Sequence, residues 1–129
     1  NNKEDTRWYY LSLLLENDNW SIHGLWPQYS KTNYPSYCRK VTFNIALLDP
    51  IMNQLKENWY SDKGPDNIFW EHEWKKHGSC MFNESNEYDY FNNTLTLFNK
   101  VKTLKIINKF KQGDKALIPF DLEFNVINP

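Results

Sequence analysis

The sequence of 129 residues lacks the features that mark several large classes of protein. Its apolar runs, such as Leu13–Leu15, are far too short to cross a bilayer. It has no surplus of positive charge, because 15 Lys and Arg residues face 16 Asp and Glu residues and the net charge is −1. A protein that coats nucleic acid by general electrostatic attraction is therefore disfavoured, although local positive groups could still bind an anion.

Cysteine is also scarce. Only Cys38 and Cys80 are present, so the one possible bridge closes a loop of 41 intervening residues and contributes roughly 3 to 4 kcal/mol. A bridge favours an oxidising compartment, whereas two buried free thiols are the alternative. The chain begins at Asn1 without a signal-like segment, which leads us to expect a processed or trimmed chain. Three sequons fit a secretory route, and they begin at Asn19, Asn83 and Asn92.

The pattern of apolar residues predicts a single domain of the α+β class covering residues 1–129. A chain of this length, 40% hydrophobic and 17% aromatic, can close one sizeable core. Strands are predicted at residues 8–15, 20–25 and 116–127, the last from its alternation of apolar and polar residues. Helices are predicted from the Asp49–Pro50 start to Trp59, across residues 69–77, and over residues 88–110.

The segment FWEHEWKKHGSC, residues 69–80, concentrates ionisable groups between aromatic ones. On a helix, Glu73 and His77 stand four residues apart on one face, and His72 and Lys76 stand four apart on the adjoining face. The tryptophans would point elsewhere and anchor the helix. The segment therefore predicts a surface that presents one carboxylate, two imidazoles and one ammonium group.

Two other interpretations of this segment stay open. His72 and His77 are five residues apart, about 140° around a helix, which does not fit the His-Glu-x-x-His zinc motif. A zinc site built from Cys38, Cys80 and the histidines lacks the usual ligand spacing but remains an alternative. A solvated amphipathic helix with incidental histidines is the second alternative.

The third histidine, His23, lies in SIHGLWPQY on a predicted strand, followed by Gly24. A lone histidine in a strand is more often a core residue than a catalyst. Here every histidine of the chain falls in one of two aromatic-flanked blocks. Two imidazoles, one to take a proton and one to give it, with a lysine to offset charge, are what RNA cleavage by its own 2′-hydroxyl requires. That reaction needs no metal or other cofactor.

Three segments resemble the ribonuclease T2 family. Ile22–Pro27 and Phe69–Cys80 resemble its two active-site blocks, and Tyr34–Cys38 resembles the Tyr-Pro-x-x-Cys between them. The resemblance implies an antiparallel sheet packed against helices, in a shortened form of the family fold. It also implies a disulfide between Cys38 and Cys80.

Catalytic roles follow from the same resemblance. It implies that His77 is the general base on the 2′-hydroxyl and that His23 is the general acid on the departing 5′-oxygen. Glu73 and Lys76 would stabilise the pentacoordinate phosphorane, and His72 would hold the phosphate. The products would be 2′,3′-cyclic phosphates and then 3′-phosphates.

The resemblance further implies that Trp26, Tyr34 and Phe69 stack on a base, and that Trp26 helps to hold the phosphate. Gln28 occupies a position where some relatives carry an acidic residue that selects bases. Trp26 and Phe69 as plain core aromatics are the alternative. The expected partner is single-stranded RNA, with no cleavage of DNA, no membrane association and a monomeric state.

The likeness runs over residues 21–97, and the chain departs from the family elsewhere. It lacks an early Trp-Pro-x-x-x-Cys, two closing cysteines, and a large region between Asn99 and Ala116. Two hypotheses follow. The favoured one is a metal-independent endoribonuclease that is secreted or held in an endomembrane, lysosomal or vacuolar lumen; the other is a catalytically weak relative that binds RNA or signals.

Overall fold

The structure is a computed structural model that describes residues 6–105, 111 and 113–128. An antiparallel sheet packs against helices, which confirms the predicted α+β class. The strands are β1 (Trp8–Glu16), β2 (Asn19–Gln28) and β3 (Lys115–Phe120). The helices are a 3₁₀ helix (Ile45–Ile51), α1 (Met52–Asn58), α2 (Asp66–Lys76), a short 3₁₀ turn (Gly78–Cys80) and α3 (Glu87–Thr103). Among these helices none is long and apolar enough to pass through a bilayer.

Strands β1 and β2 form a hairpin at the predicted position. Glu16 pairs with Asn19, so the connection contains only Asn17 and Asp18. Both residues have positive φ, 52° and 65°, as the tight turn of a two-residue hairpin requires. The sheet order is β2-β1-β3, which leaves β2 and β3 at its edges.

The two faces of the sheet have different surroundings because side chains alternate along a strand. One face is buried against the helices, and its core residues are Tyr9, Leu11, Leu13, Ala116, Ile118 and Phe120. The other face includes Tyr10, Leu14 and Leu117, which border two clefts. This second face is therefore the floor of the candidate site.

The predicted strand over residues 116–127 is wrong beyond Phe120. The carboxylate of Asp121 accepts hydrogen bonds from the backbone N–H groups of Glu123 and Asn125, which turns the chain. Phe124 has φ of 66°, and Val126 then returns to form an isolated bridge with Phe120. The apolar alternation comes from this turn and not from a continuous strand.

The predicted start of the first helix at Asp49 is also wrong. The helical segment begins earlier, because the side chain of Asn44 accepts a hydrogen bond from the N–H of Ala46 and caps the 3₁₀ helix. Pro50 lies inside that helix. The later helix α3 is confirmed up to Thr103, whereas residues 106–110 of that prediction lie outside the described residues.

Candidate active site

Helix α2 is held in a fixed rotation by two tryptophans. Trp70 donates a 2.6 Å hydrogen bond to the carbonyl of Trp59, and Trp74 donates one of 2.9 Å to the carbonyl of Thr42. Both indoles are buried, as the sequence predicted. Because these anchors fix one side of the helix, His72, Glu73 and Lys76 are directed toward the cleft.

His23 is the extra residue of a β-bulge. Ser12 pairs with Gly24 and Leu13 pairs with Ile22, so no residue of β1 lies directly opposite His23. A bulge re-aims the side chain at its centre. The His23 side chain is 49% exposed, whereas the preceding Ile22 is buried. The bulge thus gives an otherwise buried strand one half-exposed imidazole.

Core residues hold the backbone around this bulge. The indole N–H of Trp59 donates a 3.0 Å hydrogen bond to the carbonyl of His23. The hydroxyl of Tyr90 donates a 2.9 Å hydrogen bond to the carbonyl of Leu25. Both donors come from fully buried side chains, so the position of the imidazole is set by the core.

Glu73 lies at the centre of the site. Its side chain is 1% exposed, and its Oε1 accepts a 2.9 Å hydrogen bond from Nε1 of Trp26. Its Oε2 lies 3.7 Å from Nε2 of His23 and 3.9 Å from Nε2 of His72. One carboxylate therefore contacts residues from both blocks of the sequence.

Gly24 is required by the close approach of the two blocks. A Cβ at this position would overlap Oε1 of Glu73 and would lie 2.6 Å from Nε1 of Trp26. Any side chain here would displace the Trp26–Glu73 hydrogen bond. The glycine after His23 thus leaves room for the site.

His77 occupies the C-cap of α2, where its N–H still bonds to the carbonyl of Glu73. Its ring stacks on Trp26 with centroids 5.1 Å apart and an interplanar angle of 26°. The imidazole is 5% exposed, and its Nδ1 has no hydrogen-bond partner among the described residues. Tyr34 lies beside it, with ring centroids 6.2 Å apart. His77 is therefore a buried base held by aromatic packing.

Burial raises the pKa of Glu73 to about 7. The hydrogen bond from Trp26 and the charge of Lys76 act in the opposite direction, but they do not offset the loss of solvation. Near neutral pH this carboxyl group is consequently present in both protonation states.

The pKa values of His23 and His77 are shifted in the opposite direction, below the ordinary value for histidine. Burial, together with the charges of Lys76, His72 and His23, lowers the pKa of His77 to about 3. Burial also lowers the pKa of His23, with added effects of Lys115, His72 and Lys76. Positive charge is crowded here, so an imidazole gains a proton readily only when an anion is present. The site is electrostatically suited to a phosphate.

A cavity of about 320 Å³ collects most of the predicted site residues. It is lined by His23, Trp26, Gln28, Tyr34, His72, Glu73, Lys76 and His77. No sequence motif indicated four further lining residues, which are Tyr10, Lys31, Thr32 and Leu117. Both sequence blocks and the segment between them therefore meet in one cleft.

Phe69 is the exception. It lines a second cleft of about 280 Å³, bounded by Leu14 and the loop from Tyr60 to Lys63. His23, His72 and Glu73 border both clefts. The ring of Phe69 makes an edge contact with His23 at 5.6 Å. Phe69 is thus separated from Tyr34 by the catalytic candidates.

A disulfide fixes the wall that carries Tyr34. Cys38 and Cys80 are bonded, which confirms the predicted bridge and excludes both the free-thiol alternative and a zinc site that uses these thiolates. The N–H of Cys38 also donates to Oγ of Ser79 at 3.1 Å, and the N–H of Tyr37 donates to the carbonyl of Lys76 at 2.9 Å. The loop is therefore attached directly to the end of α2.

Comparisons with known proteins show which sequences are similar to this chain. The model of the Ribonuclease T2 family matches residues 4–115. Ribonuclease DdI of Dictyostelium discoideum is 34% identical over 112 residues, and Ribonuclease 1 of Arabidopsis thaliana is 35% identical over 92 residues. These matches cover 83% and 68% of this chain, but 50% and 40% of the relatives, so the chain spans half or less of their length.

A solved structure supports the fold. The RNase-related protein from Calystegia sepium superposes with a TM-score of 0.75 at 18% identity. The superposition covers 97% of this chain and 91% of that one. The likeness of the two folds therefore extends over nearly the whole of this chain.

Proposed function

The chain belongs to the ribonuclease T2 family, and on that premise we propose that it is an endoribonuclease that cuts single-stranded RNA without a metal ion. The 2′-oxygen attacks the adjacent phosphorus, the bond to the 5′-oxygen breaks, and a 2′,3′-cyclic phosphate forms. Water then opens the cyclic phosphate to a 3′-phosphate. The observation that carries the proposal is that His23 and His77 line one cavity, each with its ring centroid 5.1 Å from that of Trp26.

His77 is the proposed general base. Its lowered pKa keeps the imidazole unprotonated in the free protein, so it can accept the proton of the 2′-hydroxyl. The negative phosphate of a bound substrate raises this pKa toward the working pH and makes the base stronger. The stacked Trp26 keeps the ring in place during the transfer.

His23 is the proposed general acid, which gives its proton to the departing 5′-oxygen. It must be protonated, although burial lowers its pKa in the free protein. The incoming phosphate and Oε2 of Glu73, 3.7 Å from Nε2, both favour the charged imidazole. Substrate binding therefore supplies part of the charge that this step requires.

Glu73 and Lys76 are proposed to stabilise the phosphorane, and His72 is proposed to hold the phosphate. Lys76 supplies positive charge at the cavity where negative charge develops on the phosphoryl oxygens, and His72 lines the same cavity. Glu73, with its pKa raised to about 7, can donate a hydrogen bond to one of those oxygens when it is protonated. The side chains of His72, Glu73 and Lys76 differ in chemistry but line the same cavity.

The 320 Å³ cavity is the proposed pocket for the base on the 5′ side of the cut bond. Tyr34 and Trp26 offer aromatic surface, and Gln28 lines the same pocket. Stacking accepts many bases. The second cleft, which Phe69 lines, is the proposed position of the leaving nucleoside because it lies on the other side of His23.

We propose, as the sequence predicted, that the protein is a monomer that acts on RNA and not on DNA. We also propose that it is located outside the cell or in an endomembrane lumen. The disulfide supports an oxidising compartment. DNA would resist cleavage because it has no 2′-hydroxyl to attack the phosphorus.

The proposal is tested by incubating the protein with single-stranded RNA and DNA in excess chelator and by analysing the ends. We expect cyclic phosphate ends on RNA and intact DNA. His23→Ala should abolish cleavage without unfolding the protein, since this side chain is half exposed; Lys56→Ala, outside both clefts, is the control. RNA that is bound but remains uncut would favour the alternative of a binding protein.

A further inference from the structure

Lys115 lies on the open face of the sheet, in line with residues that border the two clefts. It pairs with Leu14, which in turn pairs with Ser21 on the other side, so the three residues form one row across the sheet. Lys115 is two residues before Leu117, so the two side chains lie on the same face of the sheet. Leu117 borders the first cleft, and Leu14, which pairs with Lys115, borders the second cleft. Its ammonium group therefore projects over the floor beside both clefts.

The distance from this row to the bulged histidine is short enough for a direct electrostatic effect. Neighbouring strands are about 4.8 Å apart, so the Cα atoms of Lys115 and Ser21 are separated by about 10 Å. A lysine side chain spans a large part of that distance, and the charge of Lys115 acts on His23. Within the described residues, Lys115 is exposed and forms no ion pair.

The proposed reaction fixes which part of the RNA passes this lysine. His23 protonates the 5′-oxygen of the leaving nucleoside, so that nucleoside lies beyond His23, in the second cleft. Leu14 lies on the floor of that cleft, and Lys115 lies next to Leu14 on the outer strand. A strand that leaves this cleft across Leu14 passes Lys115 with its next phosphate toward the 3′ end.

We propose, on the basis of the proposed function, that Lys115 binds the phosphate one nucleotide downstream of the cut bond. The protein then prefers an RNA strand that continues past the leaving nucleoside over a dinucleotide. The group acts on a remote phosphate and not on the reacting atoms, so it is a substrate-binding residue rather than a catalytic one.

Chimeric substrates with one ribose isolate this contact. The first is a dinucleotide with a 5′ ribonucleotide and a 3′ deoxynucleotide, which contains one cleavable bond and one phosphate. The second adds a further deoxynucleotide through a normal phosphodiester, and the third adds it through an uncharged methylphosphonate. The last two differ in the charge of the downstream linkage.

We expect the wild-type protein to cut the charged trinucleotide about five-fold more efficiently, in kcat/KM, than its uncharged counterpart, as a contact with an exposed lysine implies. Lys115→Gln should remove that preference, whereas Lys56→Gln, outside both clefts, should retain it. A preference that survives Lys115→Gln, or no preference in the wild type, overturns the proposal. If the wild type leaves the dinucleotide uncut, the proposed function itself fails.

A pH profile separates this contact from a merely structural role. Lys115, His72 and Lys76 lower the pKa of His23, Asp62 raises it, and the carboxylate of Glu73 faces the ring. Lys115→Gln should therefore move the alkaline limb of dinucleotide cleavage to higher pH. An unchanged limb would contradict the placement of the ammonium group beside His23.

Discussion

The indole N–H of Trp26 donates a 2.9 Å hydrogen bond to Oε1 of Glu73. This bond joins strand β2 to helix α2, and thus the two halves of the site that the chain supplies far apart. It is also the only side-chain hydrogen bond to Glu73 among the described residues. The contact between the two halves of the candidate site, and part of the pKa of a buried carboxyl group, consequently depend on this bond.

Trp26→Phe should test this contact because it keeps an aromatic ring but removes the donor. We expect a loss of about 1–3 kcal/mol in the free energy of unfolding, since a buried acceptor is left unpaired. The pKa of Glu73 should rise further, because the bond lowers it in the native protein. Chemical denaturation and NMR titration measure the two effects, with exposed Glu71→Gln as the control; an unchanged Glu73 pKa would contradict the role of the bond.

Gly24→Ala should inactivate the protein. The added methyl group overlaps Oε1 of Glu73, so the Trp26–Glu73 bond cannot form unchanged. We expect kcat/KM to fall at least about ten-fold, as a small displacement of catalytic groups has large effects. Gly64→Ala is the matched control because its methyl group would meet no atom within 4 Å. Equal activity of the two variants would show that the site tolerates the displacement.

The stability of the protein should depend on pH through Glu73. Its pKa is raised from 4.5 to about 7 on folding, so its contribution to stability is fully present below pH 4.5 and is lost as the pH rises through 7. The change in unfolding free energy caused by Glu73→Gln should therefore be more stabilising at pH 8 than at pH 4, by about 3 kcal/mol. Urea denaturation at both pH values measures this difference, and exposed Glu71→Gln should show none.

His77 has the opposite effect. Its pKa falls from 6.5 to about 3 on folding, so its contribution is present above pH 6.5 and is lost as the pH falls through 3. Between about pH 4.5 and 6.5 the two groups have opposite effects on the free energy of unfolding. As the pH rises through this window, Glu73 lowers it and His77 raises it. The unfolding free energy of Glu73→Gln should accordingly rise with pH in this window more steeply than that of the wild type.

Activity should follow a bell-shaped pH profile on the acid side of neutral. His77 must be unprotonated and His23 protonated, and both have lowered pKa values in the free protein. The alkaline limb of kcat/KM should therefore lie below about pH 6.5, the ordinary value for histidine. Rates on a dinucleotide over pH 3–9 test this expectation, and a rate that increases steadily to high pH would contradict it.

Removal of the disulfide should weaken both stability and substrate binding. The Cys38→Ser and Cys80→Ser double variant should lose about 3–4 kcal/mol, because the bridge closes a long loop. The wall with Tyr34 is also loosened, so we expect KM to rise more than kcat falls. Ser79→Ala, which keeps the bridge but removes the hydrogen bonds of the Ser79 hydroxyl with the N–H of Cys38 and the carbonyl of Lys75, should have a smaller effect on both.

Local patterns in the sequence predicted the parts of the molecule that depend on neighbouring residues. The spacing within residues 69–80 predicted the helix and its buried tryptophans, and the apolar, partly aromatic run from Trp8 predicted the first strand. The two cysteines left only one possible pairing. The turn at Asp121 was not predicted. In the sequence, an aspartate that accepts hydrogen bonds from backbone N–H groups cannot be distinguished from an aspartate at a polar position of a strand.

Other features could not be predicted because they depend on the pairing of distant segments. The bulge at His23 exists only in the register between β1 and β2, and the position of Phe69 depends on how α2 packs against the sheet. Lys115 has no motif around it. Its position beside the site follows from the pairing of β3 with β1.

The irregular segment that follows β3 protects the outer border of the sheet. Pro119 has no N–H to offer, and its carbonyl already accepts a 3.1 Å hydrogen bond from Ile127, while Val126 bridges to Phe120. A neighbouring molecule therefore finds few free backbone groups with which to extend the sheet at this end. The returning tail thus acts against fibril-like self-assembly, a hazard that exposed strand edges otherwise carry.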